Sequence, residues 1–245
     1  EAYCNLGNIV RDHGKLKEAE IYTRKAIELN PDFPNAHFNL GNILIDRGKL
    51  KEAELYTRKA IELNSDFADA YSNLGSILTD LGKLKEAEIY TRKAIELDPD
   101  HANAYSNLGG IFKYLGRLKE AELYTRKAIE LNPNFAMAYS NLGSILTDLG
   151  KLKEAEISYH KAIELNPNLS IAFYSLSTLK LSNKKKIWRD KLFCKNLLNI
   201  QLEKDQVNIF FAKANILHKE SNFKEFSTKR EQSGFAGNSL QRRIL

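Results

Sequence analysis

Five asparagines recur at a spacing of 34 residues, and each stands directly before a leucine. They are Asn5, Asn39, Asn73, Asn107 and Asn141. A primary amide offers one acceptor oxygen and two N–H donors, which suits it to holding the backbone of an extended peptide without reading its side chains. The same amides could instead bond to the neighbouring copy, and duplication copies useful and idle residues alike, so both interpretations stay open. We call these five residues the asparagine row.

A second set of residues recurs with the same spacing. It consists of Asp12, Asp46, Asp80 and Asp148, with Tyr114 interrupting the aspartates in the fourth copy. Carboxylates at these positions would add acidic contacts near the asparagine row. We therefore predict a partner-binding site made of these ten residues.

The sequence contains no recognisable catalytic constellation. The histidines are His13, His37, His101, His160 and His218. No two of them have the spacing of metal ligands, and their scattered positions are typical of surface or packing residues. Neither GxGxxG nor GxxxxGK is present, so no phosphate loop is predicted. Glu88 and Arg92 are four residues apart and predict a surface ion pair. We predict no catalytic residue, no metal and no cofactor.

The asparagine row belongs to a longer repeated unit. The stretch KLKEAEIYTRKAIEL occupies residues 15–29 and returns unchanged at 83–97. In the copy at 102–135, apolar residues three and four apart predict two helices. Gly116 between them suits the left-handed residue that closes a helix, and Pro133 cannot continue the second helix. Each copy is therefore predicted to be a helix-turn-helix hairpin.

Such a hairpin cannot bury its apolar stripe alone, so the copies are expected to stack on one another. Each copy has a glycine inside its first helix: Gly7, Gly41, Gly75, Gly109 and Gly143. A glycine there costs about 1 kcal/mol relative to alanine, and we expect the paired helix to cross closely at that point. The predicted fold class is all-α, an α-solenoid of 34-residue repeats.

These residues resemble the tetratricopeptide repeat family. In one copy the family signature is matched by Tyr105, Leu108, Gly109, Ala121, Ala128 and Pro133. The resemblance covers residues 1–169 in five repeats, the first of them truncated. It implies a right-handed superhelix whose first helices line a concave groove. The repeats are also similar to those of O-linked N-acetylglucosamine transferases, which carry an asparagine row that grips peptide backbones.

The chain departs from the family signature at two positions, and the first is Ser65, which stands in place of the expected proline and predicts a looser turn. At the second, the family usually has an aromatic residue where this chain has Thr23, Thr57, Thr91 and Thr125. The tyrosine stands one place earlier instead, about 100° around the helix. Packing there is expected to be thinner, or to be shared with the adjoining repeat.

The copying fails after Asn168. Residues 170–232 are predicted to form a degenerate repeat and capping helices, because an exposed solenoid end requires a cover. They include an amphipathic helix over 187–202 with Trp188 packed into it, and a weak repeat match over 210–226. Residues 233–245 show no periodicity and are expected to be disordered.

Composition limits the class of protein and of partner. Hydrophobic residues make up 43% and charged residues 28%, as in ordinary soluble domains. No run approaches the roughly 20 apolar residues of a membrane span. The basic excess lies after residue 169, yet no interleaving of aromatic and basic residues follows, so nucleic acid is not the predicted partner. The two widely separated cysteines suggest a reducing, cytoplasmic setting. Glu1 already lies within a repeat, so we expect the original N-terminus to be missing.

Two functions from different classes fit these observations. The first is a non-catalytic interaction module that binds a peptide or protein segment in its groove. The second is the recognition arm of a larger transferase, because residues 172–225 resemble the region that joins these repeats to a sulfotransferase domain in some bacterial proteins. Self-association through the solenoid ends is a further expectation.

Overall fold

The computed structural model describes residues 1–179, 192–193 and 203–219. Regular structure in these ranges is entirely helical, which confirms the predicted all-α helical-repeat fold. The helices are α1 Ala2–Asp12, α2 Leu16–Leu29, α3 Pro34–Asp46, α4 Leu50–Leu63, α5 Ala68–Asp80, α6 Leu84–Leu97, α7 Ala102–Tyr114, α8 Leu118–Leu131, α9 Ala136–Asp148, α10 Leu152–Leu165, α11 Ser170–Thr178 and α12 Glu203–Lys219. The predicted helix at 187–202, the C-terminal part of the repeat match at 210–226 and the tail at 233–245 lie largely or wholly outside the described residues.

The turn inside each hairpin is closed by a glycine in the left-handed conformation. At Gly116 the φ angle is +72°. The Gly116 N–H donates to the Lys113 carbonyl at 3.0 Å, and the Arg117 N–H donates to the Phe112 carbonyl at 2.8 Å. These bonds satisfy carbonyls that the end of α7 leaves free. The predicted role of Gly116 is therefore confirmed.

Residues 1–151 form one compact unit, and the described residues after 151 belong to a second. In the first unit α1 packs on α2, α3 on α4, α5 on α6 and α7 on α8, and each first helix also contacts the next first helix. In the second unit α11 packs on both α10 and α12. The predicted domain boundaries at residues 169 and 232 stay predictions.

The core of the first unit is shared between successive hairpins. One buried cluster combines Leu108, Phe112 and Ala121 of the fourth hairpin with Ile145 of α9. The same arrangement recurs earlier in the stack, where Ile111 of α7 completes the cluster of the third hairpin. Since each hairpin needs an isoleucine from the next one, burial is continuous along the unit, as expected for a solenoid.

The mid-helix glycines lie where the two helices of a hairpin come closest. A methyl group at Gly109 would clash with Thr125 Oγ1 and would fall 3.1 Å from the Ala121 carbonyl oxygen. This confirms the predicted close crossing. Thr125, at a position where the family usually has an aromatic residue, is fully buried against this glycine.

The displaced tyrosines connect neighbouring hairpins. Tyr90 stacks on Tyr71 of its own hairpin, with ring centroids 6.0 Å apart. Its hydroxyl accepts a hydrogen bond from Arg58 of the preceding hairpin at 2.7 Å. Arg24 makes the same bond to Tyr56 at 2.8 Å. Packing at the displaced position is therefore shared with the adjoining repeat, which is one of the two outcomes expected from the sequence.

Candidate functional site

The candidate site is the set of exposed and half-buried side chains on α1, α3, α5, α7 and α9, which we call the first-helix face. All ten residues of the predicted site lie on these five helices. The structure brings them together because each first helix packs beside the next one.

Four members of the asparagine row donate a hydrogen bond to the preceding first helix. Asn107 Nδ2 lies 3.1 Å from both the hydroxyl and the carbonyl oxygen of Ser72. Asn141 Nδ2 donates to the Ser106 hydroxyl at 3.1 Å. In the earlier copies Asn73 donates to Asn42, and Asn39 donates to the sulfur of Cys4 at 3.1 Å. Asn5 is exposed.

These bonds give the row a structural role that the sequence left open. Each of the four amides is half-buried, and its N–H group fixes the orientation of the side chain relative to the neighbouring helix. An amide has further hydrogen-bonding capacity beyond these contacts. The row thus joins adjacent first helices, whether or not it also contacts a partner.

The aspartate set is fully on the surface. Asp12, Asp46, Asp80 and Asp148 are all exposed. Asp46 accepts a hydrogen bond from Arg11 Nε at 2.6 Å, and Asp148 lies 3.6 Å from the ammonium group of Lys113. Tyr114, at the same position of α7, has 68% of its surface exposed.

Charge is distributed unequally between the two layers of helices in the first unit. The first helices carry five aspartates, namely Asp12, Asp46, Asp69, Asp80 and Asp148, and two cations, Arg11 and Lys113. Each of the second helices α2, α4, α6 and α8 carries three acidic and three basic residues. The acidic excess therefore belongs to the first-helix face, which favours a basic partner there.

Charged side chains of the second helices form ion pairs with one another within the stack. Glu54 accepts hydrogen bonds from Arg58 of its own helix and from Lys83 of the next hairpin, each at 2.9 Å. Partial burial raises the pKa of Glu54, but the bonds from Lys83 and Arg58 outweigh it, so the pKa lies below its ordinary value. Glu88 and Arg92 form the predicted pair, at 2.9 Å. The Glu54–Lys83 contact clamps successive hairpins together, whereas the pairs with Arg58 and Arg92 lie within one helix.

Three titratable groups outside the predicted site are buried. Cys4 is buried, and burial raises the pKa of its thiol. His37 is buried with Nε2 2.7 Å from the Pro31 carbonyl, and His101 is buried beside Asp69 at 3.1 Å. Within the described ranges no group of three His, Cys, Asp or Glu residues could hold a metal ion.

Comparison of the copies shows a feature that period and signature alone did not reveal. The second helices α2, α4, α6 and α8 are identical except at one position, which is Ile21, Leu55, Ile89 or Leu123, and α10 differs from them at residues 158–160 as well. The helices α3, α5, α7 and α9 differ at eight of their 13 positions. Four of the five constant positions are buried alanine, leucine, glycine and isoleucine, and the fifth is the asparagine row. Divergence among the copies is thus concentrated on the first helices.

The strongest local departure lies at the end of α7. The helices α5 and α9 on either side of it are identical except at Asp69 and Met137. Both end in SILTD, whereas α7 ends in GIFKY over residues 110–114. The 34-residue period singles out Tyr114 in this stretch, and alignment of α7 with α5 and α9 adds Gly110, Phe112 and Lys113.

The paired helices, their 34-residue period and the glycine–threonine crossing define a helical-repeat protein. Tetratricopeptide repeat models match residues 1–33, 34–67, 66–134 and 136–169. The chain therefore belongs to the tetratricopeptide repeat family. The finer likeness to the repeats of glycosyltransferases and sulfotransferases stays a prediction.

Several solved structures share this fold. The chain is 27% identical to MamA, with a TM-score of 0.53, over 66% of this chain and 94% of MamA. It is 26% identical to YrrB, described as a tetratricopeptide repeat protein with an unusual peptide-binding site, with a TM-score of 0.50 over 71% of this chain and 89% of YrrB. A thermophilic tetratricopeptide repeat protein of Thermus thermophilus, TTC0263, shares the fold at 22% identity, with a TM-score of 0.67 over 74% of this chain and 98% of TTC0263. No curated protein sequence matches significantly.

In the part of the chain that the structure describes, no helix is both long enough and apolar enough to span a membrane. The predicted cytoplasmic setting stays a prediction.

Proposed function

We propose that this chain is a non-catalytic interaction module that holds an extended peptide or protein segment against its first-helix face. The observation that carries this proposal is the uneven divergence of the copies. The second helices α4, α6, α8 and α10 differ at four of their 14 positions. Their first helices α3, α5, α7 and α9 differ at eight of 13, mainly at positions outside the core. If both layers of helices only supported the stack, we would expect their surface positions to diverge to a similar extent.

The chemistry of the first-helix face supports an extended polypeptide as the ligand. The asparagine row recurs once per repeat, and its N–H groups are already engaged with the neighbouring helix. In the proposal the amide oxygens accept hydrogen bonds from the backbone of the bound segment. The exposed aspartates then attract basic side chains of that segment, and steering of this kind raises association rates at low salt.

The family relation supports the same class of function. Tetratricopeptide repeats are interaction modules, and YrrB, which is similar to this chain, is described as having a peptide-binding site. Binding in a groove formed by the first helices is the finer part of the proposal.

A matched pair of charge reversals tests which face binds. The intact chain would be panned against a phage library of random 12-residue peptides. The variant Asp80→Arg with Asp148→Arg changes the first-helix face, and the control variant Glu96→Arg with Glu130→Arg makes the same change on exposed positions of second helices. We expect the first variant to lose the enriched peptides and the control to keep them. Equal enrichment by all three proteins, or none by the intact chain, would refute the proposal.

The alternative, a recognition arm of a transferase, rests on the region after residue 170. Most of that region lies outside the described residues, so the alternative stays a prediction. Reading the gene beyond Leu245 tests it directly, since it requires a catalytic domain in the same frame.

A further inference from the structure

Two consecutive glycines in α7 have different surroundings. Gly109 is packed against Thr125, so its lack of a side chain is explained by the helix crossing. A methyl group at Gly110 would meet nothing within 4 Å. Glycine inside a helix is less favourable than alanine or serine, and the neighbouring first helices have Ser76 and Ser144 at this position. The packing of the stack therefore gives no reason for Gly110.

Gly110 lies one helical turn before the most exposed aromatic residue of the first-helix face. Side chains four residues apart lie on the same side of a helix, so the space that Gly110 leaves open adjoins Tyr114. Tyr114 has 68% of its surface exposed. We call this open space with its aromatic wall the Tyr114 niche.

The two other changes in this stretch serve the fold around the niche. Phe112 is fully buried, with the guanidinium group of Arg117 4.2 Å from its ring centroid. Lys113 donates a hydrogen bond to the Ser144 hydroxyl at 2.7 Å and lies 3.6 Å from Asp148. The positive charge of Lys113 is thus engaged with α9.

The surroundings of the niche favour a cation as its occupant. An exposed tyrosine ring attracts arginine more than lysine, because the guanidinium group stacks on the ring plane. This chain uses the same contact internally, where Arg58 lies 5.1 Å above the ring of Tyr90. At the position equivalent to Tyr114, the flanking first helices carry the carboxylates of Asp80 and Asp148, and Lys113, the one cation of residues 110–114, lies 3.6 Å from Asp148. An apolar occupant would gain nothing from these carboxylates.

We propose that the Tyr114 niche is the specificity-determining subsite of the first-helix face and that it takes an arginine side chain of an extended peptide. The inference rests on the proposed function and names the partner's chemistry. The guanidinium group stacks on the Tyr114 ring in the space left by Gly110, while the carboxylates of the flanking helices supply the opposite charge.

The neighbouring helices provide variants that should fold. The reversion variant, Gly110→Ser with Phe112→Leu, Lys113→Thr and Tyr114→Asp, gives α7 the ending of α5 and α9. The duplication variant, Ser76→Gly with Leu78→Phe, Thr79→Lys and Asp80→Tyr, gives α5 the ending of α7 and leaves Asp46 and Asp148 as the carboxylates that flank the two tyrosines. Both use sequences that already form helices at equivalent positions, and circular dichroism at 222 nm would verify their folding.

The test uses the random 12-residue phage library on the full chain and on both variants. We expect the unchanged chain to select peptides with one arginine and the reversion variant to lose this preference while still binding peptides. Adjacent helix axes lie about 8–10 Å apart, and an extended peptide advances roughly 3.3 Å per residue. The duplication variant should therefore select two arginines about three residues apart.

Affinity measurements on one selected peptide sharpen the result. Fluorescence anisotropy should show about a two- to fivefold weaker affinity when its arginine is replaced by glutamine, and a smaller loss with lysine. The reversion variant should not distinguish the three peptides. Selection of aromatic or aliphatic residues, or the same arginine preference in the reversion variant, would overturn the niche while leaving the proposed function standing. Failure of every protein to enrich peptides would overturn both.

Discussion

Replacement of the consecutive glycines of α7 by alanine measures how closely the paired helices cross. Both substitutions place a methyl group inside the same helix, so both gain about 0.5–1 kcal/mol from helix propensity. Only Gly109→Ala brings that methyl group into contact with the buried Thr125 and with the Ala121 carbonyl oxygen. Overpacking of this kind costs about 1–3 kcal/mol. Since the propensity gain is common to both variants, their difference in unfolding free energy should be about 1–3 kcal/mol.

Urea unfolding followed by circular dichroism would measure this difference. We expect Gly110→Ala to unfold at a higher urea concentration than the unchanged chain and Gly109→Ala to unfold below Gly110→Ala. Because repeat arrays can depart from two-state unfolding, the midpoints should be compared together with the slopes.

A double-mutant cycle assigns the cost to one contact. Thr125→Ala removes the hydroxyl that the new methyl group meets, so Gly109→Ala should cost less in that background than in the unchanged chain. Equal stabilisation by the two alanine substitutions would show that the helices have room at the crossing, and the explanation of the mid-helix glycine would then be wrong.

Three further predictions concern the contacts between hairpins. Arg58→Met should lower the unfolding free energy by about 1–2 kcal/mol because it removes hydrogen bonds to Tyr90 and Glu54. The control Lys59→Met, which removes an exposed ion pair, should lower it by under about 0.5 kcal/mol. Similar urea midpoints for the two variants would contradict this prediction. Because the pKa of Glu54 is lowered, its contribution to the unfolding free energy is complete above its unfolded value of about 4.5 and is lost as the pH falls through the lower folded value. Glu54→Gln should therefore reduce the fall in unfolding free energy at acid pH. An unchanged fall would count against a stabilising contact between Glu54 and Lys83. Asn107→Ala should cost about 1 kcal/mol by losing its bonds to the preceding helix, and the exposed control Asn103→Ala should be near neutral in thermal unfolding.

The sequence also predicted a site, and the structure changes how that site is understood. The ten predicted residues do lie on one set of helices, because a constant period in a stacked solenoid places equivalent residues side by side. Which atoms remain available could not be read from the period. Asn107 and Asn141 use their amide N–H groups on the neighbouring helix, and the serines that accept those bonds belong to a different copy. Binding of a partner by these residues stays a prediction.

Local sequence features determined the helices and their pairing. They are the repeat period, the apolar spacing, the turn glycines and the proline that ends the second helix, and each acts through a few neighbouring residues. Only the tertiary structure decided three features: the direction of the Tyr90 hydroxyl, the contact of Thr125 with Gly109 and the open space beside Gly110. Each depends on side chains from helices that the chain brings together on folding. A one-dimensional pattern records how often a residue recurs, whereas contact distances arise only once the hairpins pack.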